Sequence, residues 1–304
     1  ALYLSAFFFS FFKLKQLLIN EKPDFFIIHL FTSLPILLFT FFKFDTELIL
    51  RISGLPKMNI FRKILWKYFS KNIKAVITPT EETKKFLVNK NIFQKEKIFH
   101  LKDPIIDIQS LKKEIKINNK MINLKKPYFT TVGRYTKQKN HLLLIKAIKE
   151  MKDNLKGYTF FIVGYGEYKK TYLDFINKHE LTNQVKLLDY TESVSSIIKE
   201  SKCVISTSLW EDPGWVMIEA ASMGVPIISS NCPNGPNEFL ENNKCGLLFK
   251  NNSLDELKKT LSNFLNLSKL SISLMTLNAK KKSKYYTKFQ HYKKFDEILE
   301  KAIY

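Results

Sequence analysis

The stretch "CVISTSLWEDPGWVMIEAASMGVPIISS", Cys203 to Ser230, leaves few folds open. Its two ends, "CVISTS" and "VPIISS", are short apolar runs bounded by turn residues, the pattern of strands buried in a sheet. Between them, Asp212-Pro213-Gly214 is turn chemistry: Pro fixes its own φ, and Gly takes conformations other residues avoid. The following "WVMIEAASM" has the residue types and apolar spacing of a helix. Strand, loop, helix and strand in that order imply a parallel sheet.

The alternation recurs along the chain. In the first half, "PDFFIIHL" (Pro23 to Leu30), "TELILRIS" (Thr46 to Ser53) and "AVITPT" (Ala75 to Thr80) read as strands. Helical segments separate them, and Thr80 is placed to cap the one that starts "EETKKFLV". In the second half "YFTTV" (Tyr128 to Val132) is a strand ending at Gly133, with a helix expected from Asn140, a good N-cap residue. "FFIVGYGEYKK" repeats the scheme with Gly164 and Gly166 at the turn, but it lacks the third glycine of a dinucleotide fingerprint. The lysine-rich "DPIIDIQSLKKEIKINNKMINLKKP" between the halves reads as a linker. The fold class is therefore α/β in two domains, 1–108 and 127–285, joined by a linker at 109–126 and followed by a helical segment at 286–304. A length of 304 residues with 45% hydrophobic content supports two such cores.

Charge is the feature most open to misreading. The net +21 resembles a nucleic-acid signature, yet 46 of the 49 basic residues are lysines dispersed through every segment, alongside abundant Ile, Asn and Phe. That dispersion reads as compositional background, and no nucleic-acid-binding motif accompanies it. Only Arg51, Arg62 and Arg134 depart from the lysine habit. A position that keeps Arg is one where the planar two-pronged donor for phosphate or carboxylate is useful. Cys203, Cys232 and Cys245 are odd in number and lack C-x-x-C spacing, so neither a disulfide framework nor a zinc site is indicated and the compartment reads as reducing and cytoplasmic. "ALYLSAFFFSFF" is too short to span a bilayer and lacks the features of a signal peptide. "NIFRKILWKYFSKNIK" is an amphipathic basic helix; it fits an anionic membrane face and, equally, a domain helix with a solvated lysine face.

Chemistry concentrates at the carboxyl ends of the second-half strands, where ligands bind in open parallel sheets. Glu211 precedes the helix start that holds Gly214 and Trp215, and Glu219 lies about two turns along. A helix start gathers unpaired backbone N–H groups and the positive end of a dipole, so it holds phosphate. Arg134 and Lys139 sit on the loop after Gly133, where a diphosphate would be neutralised. A carboxylate pair beside an anion site points to a sugar nucleotide, whose hydroxyls need acceptors and whose diphosphate needs donors. The alternative is that Glu211 and Glu219 are solvated loop and helix residues.

Four stretches in order, "GRYTKQKN", "VGYGE", "SLWEDPGWVMIEA" and "GVPIISSNCPNGPNEFL...GLLF", resemble the nucleotide-binding domain of family-four glycosyltransferases. The resemblance implies the GT-B fold, two Rossmann-like domains facing across a cleft, and a retaining, metal-independent enzyme with no cofactor beyond its nucleotide-sugar co-substrate. It implies that Glu211 contacts the transferred sugar, that Glu219 accepts hydrogen bonds from the ribose, and that Arg134 and Lys139 hold the diphosphate. Gly133, Tyr190, Pro213, Gly214 and Trp215 complete the implied donor site, with Asp189 beside Tyr190 at the nucleobase and Asn237 and Glu238 shaping the pocket. "NCPNGPNEFL" resembles bacterial transferases of surface polysaccharides or lipid-linked oligosaccharides, many with hexosamine or galactose donors, which favours a UDP-sugar over a GDP-sugar. The implied partners are that donor, a lipid-linked or polysaccharide acceptor and an anionic membrane surface, with no nucleic acid. "KPDFFIIHL", "ELILRISG" and "AVITPTEETKKFL" resemble the later part of the family's acceptor domain, so an amino-terminal truncation is expected. Ser53 stands where many members have a histidine before the glycine, here Gly54, and His29 corresponds to a second histidine position or is a structural residue. The final helix is expected to cross back to the first domain. A sugar-nucleotide epimerase or an inactive donor-binding protein is the alternative on the same fold, and a basic nucleic-acid-binding protein the alternative outside it.

Overall fold

The computed structural model describes residues 2–29, 32–56, 58–111, 124, 127–189, 191 and 194–303. Most of the expected linker, 109–126, and Tyr190 lie outside them. The chain divides into two units, Ala1–Lys102 with Tyr292–Tyr304, and Asp103–His291.

The first unit runs α1 (Leu2–Glu21), β1 (Phe25–His29), α2 (Ser33–Phe41), β2 (Glu47–Arg51), α3 (Ile60–Phe69), β3 (Ile73–Thr78), α4 (Glu81–Lys90) and β4 (Ile98–His100). Its four strands form a parallel sheet in the order β1-β2-β3-β4. β2 and β3 are apolar through their centres because both faces are covered there. Leu48, Leu50 and Val76 pack on one side with Leu65, Trp66 and Leu87, while Ile49, Ala75 and Ile77 pack on the other with Leu101 and Ile298. Fully burying side chains of this size contributes about 1.5–3 kcal/mol each. Thr80 caps α4 by accepting a hydrogen bond from the Thr83 amide at 3.1 Å.

The second unit continues with β5 (Tyr128–Val132), α5 (His141–Glu150), β6 (Thr159–Val163), α6 (Lys169–Lys178), β7 (Val185–Leu188), α7 (Val194–Lys199) and β8 (Cys203–Ser206). Then follow α8 (Trp215–Met223), β9 (Ile227–Asn231), α9 (Pro236–Leu240), β10 (Leu247–Lys250), α10 (Leu254–Asn266) and α11 (Lys269–Ser283). Its six strands are parallel in the order β10-β9-β8-β5-β6-β7. The chain winds outward from β5 to β7, returns beside β5 as β8, and winds outward the other way. The last helix, α12 (Lys288–Ile303), starts in this unit and continues in the first, where Ile298 is 2% exposed. Where the segments that cross between units leave the second one, they are bonded side by side: the Ile106 amide donates to the Tyr286 carbonyl at 2.9 Å, and Lys288 pairs with Asp107 at 2.6 Å. That ammonium's hydrogen bond, with the Ser110 bonds behind it, holds the Asp107 carboxyl well below the usual range.

Asn140 occupies the N-cap position of α5 but does not cap it. Its backbone is left-handed, with φ 48°, which takes the side chain away from the helix amides, and its Nδ2 donates to Asn252 Oδ1 at 3.1 Å instead. Among the described residues no helix is long and apolar enough to cross a membrane.

Candidate functional site

The second sheet reverses its winding between β5 and β8, and the loops that leave the carboxyl ends of those two strands diverge to opposite faces. Such a switch point opens a crevice for ligands. The loops are tied to each other through the main chain. The Leu209 amide donates to the Gln138 carbonyl at 2.8 Å, and Gln138 Nε2 donates to the Trp210 carbonyl at 3.0 Å. The Thr207 hydroxyl donates to the Lys139 and Asn140 carbonyls at 3.0 and 3.1 Å.

This framework brings together two residues 72 positions apart, with Lys139 Nζ 2.7 Å from Glu211 Oε1. The same oxygen accepts from the Ser208 hydroxyl at 2.5 Å. The side chains are 19% and 10% exposed, so the pair lies where water screens it poorly. A Cβ on Gly133 would lie 3.2 Å from the Lys139 methylenes, so the missing side chain leaves the lysine stem its path. Lys139, Ser206, Glu211, Gly214, Val216 and Met217 line a cleft here. Gly214 is the N-cap of α8, whose first-turn N–H groups are of the kind that hold phosphate.

Two further loops lock the crevice. From the loop after β9, the Pro233 carbonyl accepts from the Glu211 amide at 3.1 Å, and Asn234 Nδ2 donates to Asp212 Oδ1. Gly235, with φ +135°, passes so close that a Cβ there would lie 2.2 Å from the Pro213 carbonyl oxygen. From the loop after β6, Gly164 approaches Gly133 so that a Cβ would lie 2.0 Å from the Gly133 carbonyl oxygen. The Gly164-x-Gly166 pair thus serves loop-to-loop backbone packing.

Beneath the β5 loop lies His141, 1% exposed. Its Nε2 is 3.3 Å from the Gly133 carbonyl, to which it donates, leaving Nδ1 to accept from the Thr131 hydroxyl at 3.5 Å. Burial, the largest effect, lowers its pKa to about 4, so the ring is neutral. Cys232, beside the crevice, has its thiol pushed up to about 12, chiefly by burial, which removes the thiolate a nucleophile needs.

Of the residues predicted from sequence, Gly133, Lys139, Glu211, Pro213 and Gly214 meet in this one crevice. Arg134 is exposed on the same β5 loop, Trp215 is exposed at the first turn of α8, and Glu219 is half-buried further along that helix. Asp189 pairs with Lys169 at 2.5 Å, while its neighbour Tyr190 lies outside the described residues. Asn237 and Glu238 stand in α9. In the first unit, Ser53 and Gly54 line a pocket with Arg51, and His29 Nε2 lies 2.9 Å from Arg51 Nη1. Sequence reasoning missed Ser208, Gln138 and His141. The signal for Ser208 was its place three residues before Glu211; that for His141 was a histidine opening an apolar helix; Gln138 gave none.

Residues 112–283 match the family model described as glycosyl transferases group 1. The chain is 31% identical over 247 residues to an uncharacterized glycosyltransferase of Methanocaldococcus jannaschii, covering 75% of this chain and 61% of that protein. It is 34% identical over 147 residues to the UDP-Gal:alpha-D-GlcNAc-diphosphoundecaprenol alpha-1,3-galactosyltransferase of Escherichia coli, covering 46% of this chain and 37% of that one. The chain therefore spans less than two thirds of the length of these relatives. A glycosyltransferase structure from Rickettsia africae superposes with a TM-score of 0.80 at 16% identity, over 98% of this chain and 81% of the other, which shows the fold to be GT-B.

Proposed function

Because the chain belongs to the group 1 glycosyltransferases, we propose that it transfers a sugar from a nucleotide-diphosphate sugar to a lipid-linked or polysaccharide acceptor. The anomeric configuration is retained, and no metal takes part. The observation that carries this reading is the Lys139–Glu211 pair at the β5/β8 switch point, beside the start of α8.

As the glycosidic bond of the donor breaks, negative charge grows on the departing diphosphate. Lys139, Arg134 and the first amides of α8 are cations and dipoles fixed before the reaction, so they stabilise that charge without reorganising. Lys139 and Arg134 supply the positive charge a metal would otherwise bring. A diphosphate competes with Glu211 for Lys139, and Glu211, still held by Ser208, is then turned toward the hydroxyls of the transferred sugar. Glu219 takes the ribose hydroxyls. A UDP-sugar of hexosamine or galactose type is the donor this reading favours, supported by the UDP-Gal for which the Escherichia coli relative is named. The acceptor side falls to the first unit, where His29, Ser53 and Gly54 are the candidate contacts. The enzyme works at the cytoplasmic face of the membrane, with the basic helix α3 against anionic lipid.

Calorimetric titration of UDP, GDP and their sugar conjugates into the chain tests the donor site. One nucleotide is expected to bind selectively, with affinity reduced in Glu219→Ala. In a turnover assay, Lys139→Ala and Arg134→Ala are each expected to lower kcat by about 100-fold, the scale of losing one preorganised donor. Unchanged turnover in both variants, or wild-type nucleotide affinity in Glu219→Ala, would overturn the assignment.

A further inference from the structure

Two of the three arginines in this lysine-rich chain line a single pocket of the first unit. Arg51 closes β2 and Arg62 lies in the first turn of α3; Thr32, Ser53, Gly54 and Trp66 complete much of the wall, and no acidic residue is among the described residues that line it. The pocket stands at the carboxyl end of β2, the end of a parallel sheet where ligands bind. Arg51 is steadied by His29: a guanidinium can only donate, so His29 Nε2 accepts from Nη1 at 2.9 Å. Arg62 lies with Cζ 5.7 Å from the centre of the Trp66 ring, within reach of a cation–π contact. Trp66 itself is 2% exposed, and its indole Nε1 is buried with no acceptor among the described residues.

Two guanidiniums in one pocket, one held by a histidine and one beside a buried indole, make a site for an oxyanion with several acceptor oxygens. Lysine would have given charge alone; two guanidinium forks in a chain that otherwise uses lysine give the bidentate geometry of phosphate recognition. We propose that this pocket holds a phosphate or diphosphate group carried by the acceptor. The word acceptor rests on the transferase reading above; the anion site does not.

The test uses the full chain with Trp210→Phe and Trp215→Phe, so that Trp66 is the single indole left of the three. Titrating inorganic pyrophosphate, and separately decyl diphosphate, is expected to change Trp66 emission saturably. Arg51→Gln and Arg62→Gln are each expected to weaken binding roughly tenfold, the scale of one charge-assisted contact, with Arg62→Lys in between. Removing the same charge from the exposed face of α3 with Lys63→Gln and Lys67→Gln is expected to leave affinity within about twofold. Thermal melts of each variant confirm folding. Tighter binding of decyl diphosphate than of pyrophosphate assigns the site to a lipid-linked acceptor, and equal binding assigns it to the headgroup alone; both support the proposal. Absence of saturation, or equal weakening by the lysine and arginine substitutions, overturns it. If the unsubstituted chain binds no nucleotide while the Trp66-only chain shows the arginine-dependent titration, the transferase reading sinks and the anion site stands.

Discussion

The two units build parallel sheets from the same alternation of apolar strands and helices, yet they dispose their carboxyl-end loops differently. In the first, strand order follows chain order, β1-β2-β3-β4, and the feature at the carboxyl end is a pocket lined in part by Arg51, Arg62 and Trp66. In the second, the winding reverses at β5/β8, and four loops meet with backbone against backbone. A site made of main-chain contacts is rigid and bound up with the stability of its unit. A site made of side chains can change its preference by substitution without moving the fold.

The contrast breaks most visibly at glycine. In Gly164→Ala the new Cβ would collide with the Gly133 carbonyl, backbone against backbone, and a loss of about 4 kcal/mol or more is expected. Gly54→Ala in the first unit adds strain at a φ of +137° and is expected to cost about 1–2 kcal/mol. Urea denaturation of the two variants checks the difference; similar losses would mean the second unit's loops are no more tightly locked than the first's. Next in size is Ile298→Ala. It hollows the face where Ile49, Ala75 and Ile77 meet α12, and should destabilise by about 3 kcal/mol. A loss below about 1 kcal/mol would show that α12 is not what closes this face of the first sheet.

Much of this architecture is legible in the sequence because burial on both faces forces continuous apolar strands, and turn residues punctuate them. "WVMIEAASM" is the helix Trp215–Met223, and "YFTTV" is the strand Tyr128–Val132. What the pattern does not contain is strand order. Lys139 meets Glu211 only because β8 lies beside β5, a tertiary fact with no periodic trace. The same holds for Arg51 and Arg62, whose convergence depends on how α3 packs against the end of β2. Asn140 was misread for a local reason: the propensity that favours N-caps also favours left-handed backbone, and here the second use won. Gly164 and Gly166 look like a weakened cofactor motif until the opposing loop is in view.

A third test sets the units apart by pH. His141 sits neutral in the second unit with its pKa lowered to about 4 from 6.5, so the folded state resists a proton that the unfolded chain accepts. The sign follows: stability is full above about pH 6.5 and is lost as pH falls toward 4, by roughly 3 kcal/mol in all. Denaturation midpoints measured from pH 7 to 4 should show this loss, and His141→Gln, which removes the titrating ring, should flatten the profile. An unaltered slope in that variant would place the acid sensitivity elsewhere.

The smallest effect is the sharpest comparison, because each unit offers a lysine–carboxylate pair between neighbouring parts of its sheet. Lys74 meets Glu47 across β3 and β2 at 3.3 Å, with side chains 30% and 49% exposed. Lys139 meets Glu211 at 2.7 Å, with 19% and 10% exposed. Solvent screens the first pair, so a double-mutant cycle should give a coupling of about 0.5 kcal/mol that fades in high salt. The second pair is desolvated and shares Ser208, so removing Lys139 alone leaves a buried carboxylate short of a partner; its coupling should be several times larger and nearly independent of salt. Equal couplings would mean that the crevice around Glu211 is as wet as an open sheet edge. The pair would then not be held ready in a dry site, and the preorganised charge on which the proposed catalysis depends would have to come from Arg134 and the start of α8 alone.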